Sequence, residues 1–424
     1  MDPSFDEIRR IAAYFFVPEP VEVADFPEKG NINRQTYLIT SNYSGKPVQY
    51  LLQRLNLEVL AQPHQSMRSM IACLQAQRRA LSQGILNPGE DWEVMTLVPT
   101  RAGSDYLETQ GKGGVECWRM MVRIPNCRTY KSLNQIPDPL RRLRIAEQAG
   151  CGLALFGSLT ADMDRDRMMT PVPGYRNTKL YYDQFFSILE GSRTLEDAAP
   201  FLPLDPDLRH NAGPLFLVDL PLQEYRRRLQ DDDVRRCIRL AVQQRPFALS
   251  LFSDFQDGTL QKAVIHGDTK LENFLFEIGT DKVRSLVDLD TIMPYTWLAD
   301  WGDMVRSLVN KGGERETSPD TIEVDLQVFE SAARGYLRSA RHIRSSESHR
   351  MADAVQIMTL ELGVRFLTDY LRGDTYFRPG PRQPHLLNRQ RASVQFCLFE
   401  RMRDKSVEAV RIVENLCREY GVGI

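Results

Sequence analysis

The sequence lacks any paired-cysteine framework. Its 424 residues hold seven cysteines, scattered at 73, 117, 127, 151, 237, 397 and 417. The number is odd and no CxxC pair occurs, which excludes a zinc ribbon and a disulfide scaffold. Free thiols in a reducing cytoplasm are the expectation, and the chain is read as cytoplasmic. Long apolar runs are missing too, so no membrane span is expected. The opening stretch MDPSFDEIRRIAAYFF starts acidic, without a basic region leading into an apolar one, and is not read as a signal peptide. Neither sign of charge dominates. With 54 Lys and Arg against 56 Asp and Glu, the net charge of -2 offers no general field for nucleic acid or an anionic membrane. The arginine runs at 226–228 and 235–236 are read as solvated helix faces. There is no internal repeat and no long low-complexity tract, and no obligate protein partner is implied.

What is present suits a globular chain of two or three lobes, with 42% apolar and 26% charged residues. Residues Phe5 to Phe16 have helical apolar spacing. Tyr37 to Thr40 and Val48 to Leu55 read as a β-hairpin around the turn Ser44-Gly45-Lys46-Pro47. A helix is expected over Ser66 to Leu81, then strands over Glu93 to Pro99 and Cys117 to Ile124. Those elements make residues 1–125 a small α+β lobe. From residue 126 to 424 the character is mainly helical, with helices expected at Leu140 to Phe156, Lys179 to Leu189 and Leu222 to Leu240. Ala198 to Pro221 reads as loop. From Asp303 to Asn415 the chain reads as mostly helix.

Between two short apolar runs lies VIHGDTKLENFLFE, Val264 to Glu277. Polar side chains at such density beside core strands must be satisfied or used. Asp268 can orient or accept the proton of a hydroxyl. Lys270, two residues on, can neutralise charge on a moving phosphoryl group. Asn273 offers a carbonyl oxygen to a hard cation. Fifteen residues later comes LVDLD, in which Asp288 ends a β-branched and apolar run, a carboxylate suited to Mg²⁺. Asp290 follows on the same side of a strand and is a weaker candidate. Hydroxyl-orienting base, positive charge and metal ligands are the set that phosphoryl transfer needs. Taken singly, Asp268 and Asn273 would be ordinary turn residues; it is the combination that is specific. His266 reads as a structural histidine bonding nearby backbone.

The pattern HGDxKxxN resembles the protein-kinase catalytic loop. It is closer still to the aminoglycoside phosphotransferase and choline kinase superfamily, whose loop begins HGD and whose metal aspartate ends an I/V-D strand. Three further blocks, LLQRLN (51–56), VDLDTIMPYTWLADWGDMVR (287–306) and RFLTDYLRGDTYF (365–377), resemble the N-acetylhexosamine 1-kinase group within it. The resemblance implies an α+β, protein-kinase-like fold of two lobes: a small β-rich N-lobe binding nucleotide and a large, mainly helical C-lobe. It implies ATP and Mg²⁺ as cofactors and the anomeric hydroxyl of an N-acetylated hexosamine as acceptor. Asp268 would then be the base, Lys270 the phosphate contact, and Asn273 and Asp288 the metal ligands.

Two departures stand out. No GxGxxG covers the phosphates; GNIN, with Gly30, Asn31 and Asn33, takes its place. The strand lysine is also missing. Gln53 occupies the expected position, and Arg54 would face the nucleotide only if the register slipped by one residue. The adenine hinge is expected near Met121 to Ile124, through backbone contacts. On the acceptor side, Tyr175, Arg176, Asn177 and Thr178 form a polar loop before a helix. Arg306 and Tyr370 are further candidates. Rival readings are a kinase for another small alcohol (an aminoglycoside, choline or homoserine) and an inactive nucleotide-binding regulator.

Overall fold

Alternating apolar residues in the first 125 positions build a sheet with two buried faces. The chain was analysed as a computed structural model describing residues 3–422 except 28–32, 34, 44, 58, 61, 112–113, 313–317, 342 and 381–382. The N-lobe comprises α1 (Phe5–Ala12), β1 (Val21–Asp25), β2 (Thr36–Tyr43), β3 (Lys46–Arg54), α2 (Pro63–Ser82), β4 (Leu107–Gly111) and β5 (Gly114–Val122). Helix α1 opens on a capping box, in which Ser4 N donates to Glu7 Oε2 at 2.8 Å and Glu7 N to Ser4 Oγ at 3.3 Å. It ends at Ala12, short of the expected Phe16. Among the described residues the strands form one antiparallel sheet in the order β1-β2-β3-β5-β4.

The pleat sorts side chains by parity. Tyr50, Leu52, Trp118 and Met120 pack with α1 in one apolar cluster, whereas Leu55, Cys117 and Met121 pack with α2 and the C-lobe in another. Two strand expectations change. Glu93 to Pro99 is extended but irregular, tied to β5 by Val98 N to Met120 O at 2.8 Å and Val122 N to Thr96 O at 2.9 Å. The regular partners of β5 are β3 and β4, and β1 adds an edge that the apolar pattern did not reveal.

The chain leaves the sheet at Val122 and enters the C-lobe through β6 (Cys127–Arg128), which pairs with β8 (Phe274–Glu277). Helices α3 (Pro139–Leu159), α4 (Thr178–Leu189), α5 (Pro206–Ala212), α6 (Leu222–Gln230) and α7 (Asp232–Gln256) precede β7 (Ala263–Ile265). The single helix expected over Leu222 to Leu240 is two. Asp231 breaks it by leaving helical geometry, and its carboxylate caps the amides of Asp233 and Val234. After β8 come β9 (Val283–Leu286), β10 (Met293–Tyr295), α8 (Trp297–Val309), α9 (Leu326–Ser339), α10 (Ser345–Ser348), α11 (Met351–Arg372), α12 (Leu387–Asp404) and α13 (Ser406–Tyr420). Helices α3 and α9 cross with their backbones nearly touching. A Cβ on Gly150 would lie 2.0 Å from Ala332 O, and one on Gly335 1.8 Å from Glu147 O. The largest apolar cluster runs through both lobes, from Met70 and Cys73 of α2 to Phe274 and Leu289 beside the polar stretch. All seven cysteines are unpaired. Among the described residues no helix is long and apolar enough to cross a membrane.

Candidate active site

Strand β7 ends at Ile265, and β10 pairs back on it through Met293, so the polar loop is pinned between two short antiparallel strands. Gly267 has φ +84°, and a Cβ there would lie 2.6 Å from Thr291 O; both the turn and the close approach require glycine. Asp300, at the start of α8, accepts from His266 N at 2.6 Å and Gly267 N at 2.8 Å. Its carboxyl is pushed up to about 7 by burial, against the pull of those two amides. His266 bonds backbone as expected. Nδ1 accepts from Asp268 N at 3.2 Å, leaving Nε2 to donate to Val287 O at 2.8 Å. Burial lowers its pKa and keeps the ring neutral, the form these two bonds need.

The loop thus presents Asp268 between two partners. Lys270 Nζ lies 2.9 Å from Asp268 Oδ2, and Asn273 Nδ2 donates to the Asp268 carbonyl at 2.7 Å. With Nδ2 committed, Oδ1 is the Asn273 atom available to a cation. Asn273 O also accepts from Val287 N at 2.9 Å, which brings Asp288 alongside. Asp288 takes a left-handed conformation, φ 65° and ψ 56°, uncommon outside glycine and typical of functional turns. Burial pushes its carboxyl up to about 7, helped by the charges of Asp290 and Asp268 and opposed by Arg119. Such an excess of buried negative charge fits a cation. Among the described residues no group of three or more His, Cys, Asp or Glu side chains is placed to hold a metal alone. What remains is an open pair of hard oxygen donors, from Asp288 and Asn273. That is the partial set Mg²⁺ accepts when phosphates and water complete its shell.

Of the expected nucleotide residues, Gly30 and Asn31 lie outside the described residues. Asn33 is buried, with Nδ2 2.5 Å from Asp290 Oδ2. The β3 register is the unshifted one, with Gln53 opposite Arg119 of β5. The slip that would turn Arg54 toward the cleft does not occur, and Arg54 instead pairs with Glu116 at 2.6 Å. Met121 and Ile124 belong to the core shared by the lobes. Asp290 has both oxygens engaged by the N-lobe, at 2.5 and 2.8 Å from Arg119, and its carboxyl stays low despite burial because of that guanidinium.

The acceptor candidates divide. Tyr175 OH donates to Gly267 O at 2.8 Å, and Arg176 Nη2 reaches the same carbonyl at 2.6 Å. Arg176 also meets Asp303 at 2.6 Å, while its buried Nε has no partner among the described residues. Arg306 grips the other Asp303 oxygen through Nε and Nη2, at 2.8 and 2.6 Å. Asn177 caps α4, its Oδ1 accepting from Leu180 N at 2.9 Å, and Thr178 donates to Glu361 at 2.6 Å. Tyr370 is not brought to the loop; it lies buried under the Arg228 guanidinium in a separate apolar cluster.

Arg365, in the block RFLTDYLRGDTYF whose residues are candidates for the acceptor-pocket wall, is ringed by aromatic side chains. Its guanidinium lies 4.6 to 5.7 Å from the ring centroids of Tyr175, Tyr181, Tyr376 and Phe377. It has no ion-pair partner among the described residues. Arg119 and Glu361 escaped notice altogether. The available signal was a charge inside an apolar run, CWRMMV for one and MTLELGV for the other.

With this geometry in place, residues 24–321 match the model of the phosphotransferase enzyme family. The chain belongs to that family. Its fold is shared with solved structures across nearly the whole chain. The microcompartment-associated aminopropanol kinase aligns at 14% identity over 96% of this chain and 98% of that one, with a TM-score of 0.56. An amicoumacin kinase in complex with AMP-PNP and Ca²⁺ aligns at 11% identity over 92% of each chain, with a TM-score of 0.51. At these identities the likeness concerns the fold, a small antiparallel N-lobe on a helical C-lobe, as the sequence led one to expect.

Proposed function

We propose that this member of the phosphotransferase enzyme family is an ATP- and Mg²⁺-dependent small-molecule kinase whose acceptor is a sugar, an N-acetylhexosamine phosphorylated at its anomeric hydroxyl. Asp268 orients that hydroxyl and takes its proton as the acceptor oxygen bonds to the γ-phosphorus. The bond from that phosphorus to the bridging oxygen breaks, and ADP leaves. Lys270, beside Asp268, contributes positive charge where the phosphoryl group passes. Asp288 and Asn273 would hold Mg²⁺, which supplies charge neutralisation at the phosphates. Tyr175 and Arg176 anchor the acceptor loop to the Gly267 carbonyl, and Arg306 braces Asp303 behind it.

One observation carries the acceptor assignment: the cationic, aromatic surface around Arg365, beside the Tyr175 that touches the catalytic loop. A guanidinium offers donors to hydroxyl and carbonyl oxygens, and flat rings suit the apolar face of a sugar. The same surface repels a polycationic aminoglycoside or a quaternary ammonium. Acceptor-stimulated ADP release should therefore occur with N-acetylglucosamine or N-acetylgalactosamine and not with aminoglycosides or choline, with ³¹P NMR identifying the phosphorylated position. If no free sugar stimulates turnover, the sugar reading fails. Within that reading, Arg365→Met should raise the acceptor KM by about tenfold or more, the worth of a hydrogen bond from a charged donor. The KM for ATP should stay near wild type; a change in ATP KM alone would place Arg365 elsewhere.

A further inference from the structure

The missing strand lysine leaves a question about what joins the N-lobe to the metal-binding loop, and the side chains around Asp290 bear on it. Two N-lobe residues converge on this one carboxylate, and a third holds one of them. Arg119 of β5 gives Nη1 to Oδ1 and Nη2 to Oδ2, at 2.5 and 2.8 Å. Asn33 Nδ2 meets Oδ2 at 2.5 Å, while its Oδ1 accepts from Asn56 N at 3.1 Å. Gln53, where the lysine would stand, accepts from Arg119 Nε at 3.0 Å and Nη2 at 2.8 Å. Met70 Sδ lies 3.3 Å from Nη1. A guanidinium has five N–H donors, and these contacts occupy all five. Arg119 therefore has no donor to spare for a nucleotide phosphate. Arg119 and Asp290 are each 2% exposed, so solvent does not compete for the pair.

Asp290 stands two residues after Asp288, in the tight turn Leu289–Thr291 that follows the left-handed Asp288 backbone. A fork that grips both Asp290 oxygens from across the lobe boundary fixes that turn in translation and in rotation. We propose that Arg119 is a positioning residue of the transfer reaction. It latches β5 to Asp290 and so holds Asp288 in its left-handed conformation at the cleft, replacing the usual lysine and helix-acid pair. Gln53 is then no vestige of a lost lysine: it is the cross-strand acceptor that orients the guanidinium. The proposal rests on the kinase reading for Asp288 as a metal ligand, and one arm of its test does not.

That arm is hydrogen exchange on the protein free of nucleotide and metal. Arg119→Met should speed exchange of the amides at 287–292 by about tenfold, with α12 and α13 unchanged, the worth of a hydrogen bond to a charged group that no longer closes the turn. The second arm titrates Mn²⁺ by electron paramagnetic resonance in the presence of ADP. Its Kd should rise by about tenfold in Arg119→Met, with partial recovery in Arg119→Lys, which keeps the charge and loses the fork. Acceptor KM should not change while kcat falls. Exchange at 287–292 and Mn²⁺ affinity both within twofold of wild type in folded Arg119→Met would overturn the proposal. So would a loss of affinity for metal-free ADP with Mn²⁺ binding intact, which would make Arg119 a phosphate ligand. If Arg119→Met fails to fold, Gln53→Leu should move both readouts in the same direction by about threefold, the worth of an ordinary hydrogen bond, and no movement overturns the latch. Wild-type protein without metal-dependent ADP release would sink the kinase reading, and the exchange arm would still judge the latch.

Discussion

Asp268→Asn lowers kcat by about 10²- to 10⁴-fold, the usual contribution of a positioned proton acceptor, and leaves the affinity for an ATP analogue within about threefold, because the variant loses no nucleotide contact. The expectation follows from how the loop is built. Asp268 is held by its backbone, through His266 Nδ1 on its amide and Asn273 Nδ2 on its carbonyl, at 3.2 and 2.7 Å. An asparagine keeps those bonds and the side-chain shape. It loses only the charge facing Lys270 Nζ at 2.9 Å and the capacity to take a proton. The measurement is single-turnover ADP release at saturating acceptor, beside analogue binding by calorimetry. Residual turnover within tenfold of wild type would mean that the acceptor hydroxyl loses its proton elsewhere, and the assignment of Asp268 as the base would fall.

Why Asp268 stands out in the sequence as a candidate, while Arg119 does not, is a matter of contact order. Asp268, Lys270 and Asn273 lie within six positions, so one loop sets their mutual distances and their spacing is itself the signal. Asp288 adds a strand and a turn, still within a local hairpin, and the bond from Val287 N to Asn273 O makes that hairpin. Arg119 and Asp290 are 171 residues apart, and nothing in either neighbourhood names the other. The apolar strand CWRMMV held a hint, since a charge in a buried run must have a partner. The identity of that partner is tertiary information. The same holds on the acceptor side. Asp369 ties down the backbone amides of Tyr376 and Phe377 at 2.9 and 2.7 Å, and so places two of the rings around Arg365. The block 365–377 was legible as a unit through its family resemblance, but the folding of its tail back over Arg365 was not. Tyr370 looked equally eligible in that block, and helical phase alone sends it into a different apolar cluster.

Asp303→Asn is expected to destabilise the fold by about 3–5 kcal/mol, the cost of breaking a buried ion network from one side. Asp303 is the shared acceptor of two buried guanidinium groups, Arg176 on Oδ2 and Arg306 on Oδ1, each at 2.6 Å. Removing its charge takes from both guanidinium groups the acid they share, and Arg176 keeps only the longer contact to Glu361, at 3.4 Å, among the ion pairs described. Burial alone would raise the Asp303 carboxyl; the two arginines overcome that and hold it well below the ordinary 3.8. A group with a depressed folded-state pKa stabilises fully above its unfolded-state value and loses that contribution as pH falls through the folded one. The difference in stability between wild type and Asp303→Asn should accordingly be constant near neutrality and shrink only below about pH 4. Urea unfolding at pH 7 and at pH 3 measures it, and an equal difference at both would show that the loss is one of packing. Adding Arg306→Met to Asp303→Asn removes one of the two buried guanidinium groups that shared this acid and should recover part of the stability. Turnover should not recover with it, because Arg176 Nη2 bridges Asp303 to the Gly267 carbonyl at 2.6 Å, and the acid is what aims that donor at the loop.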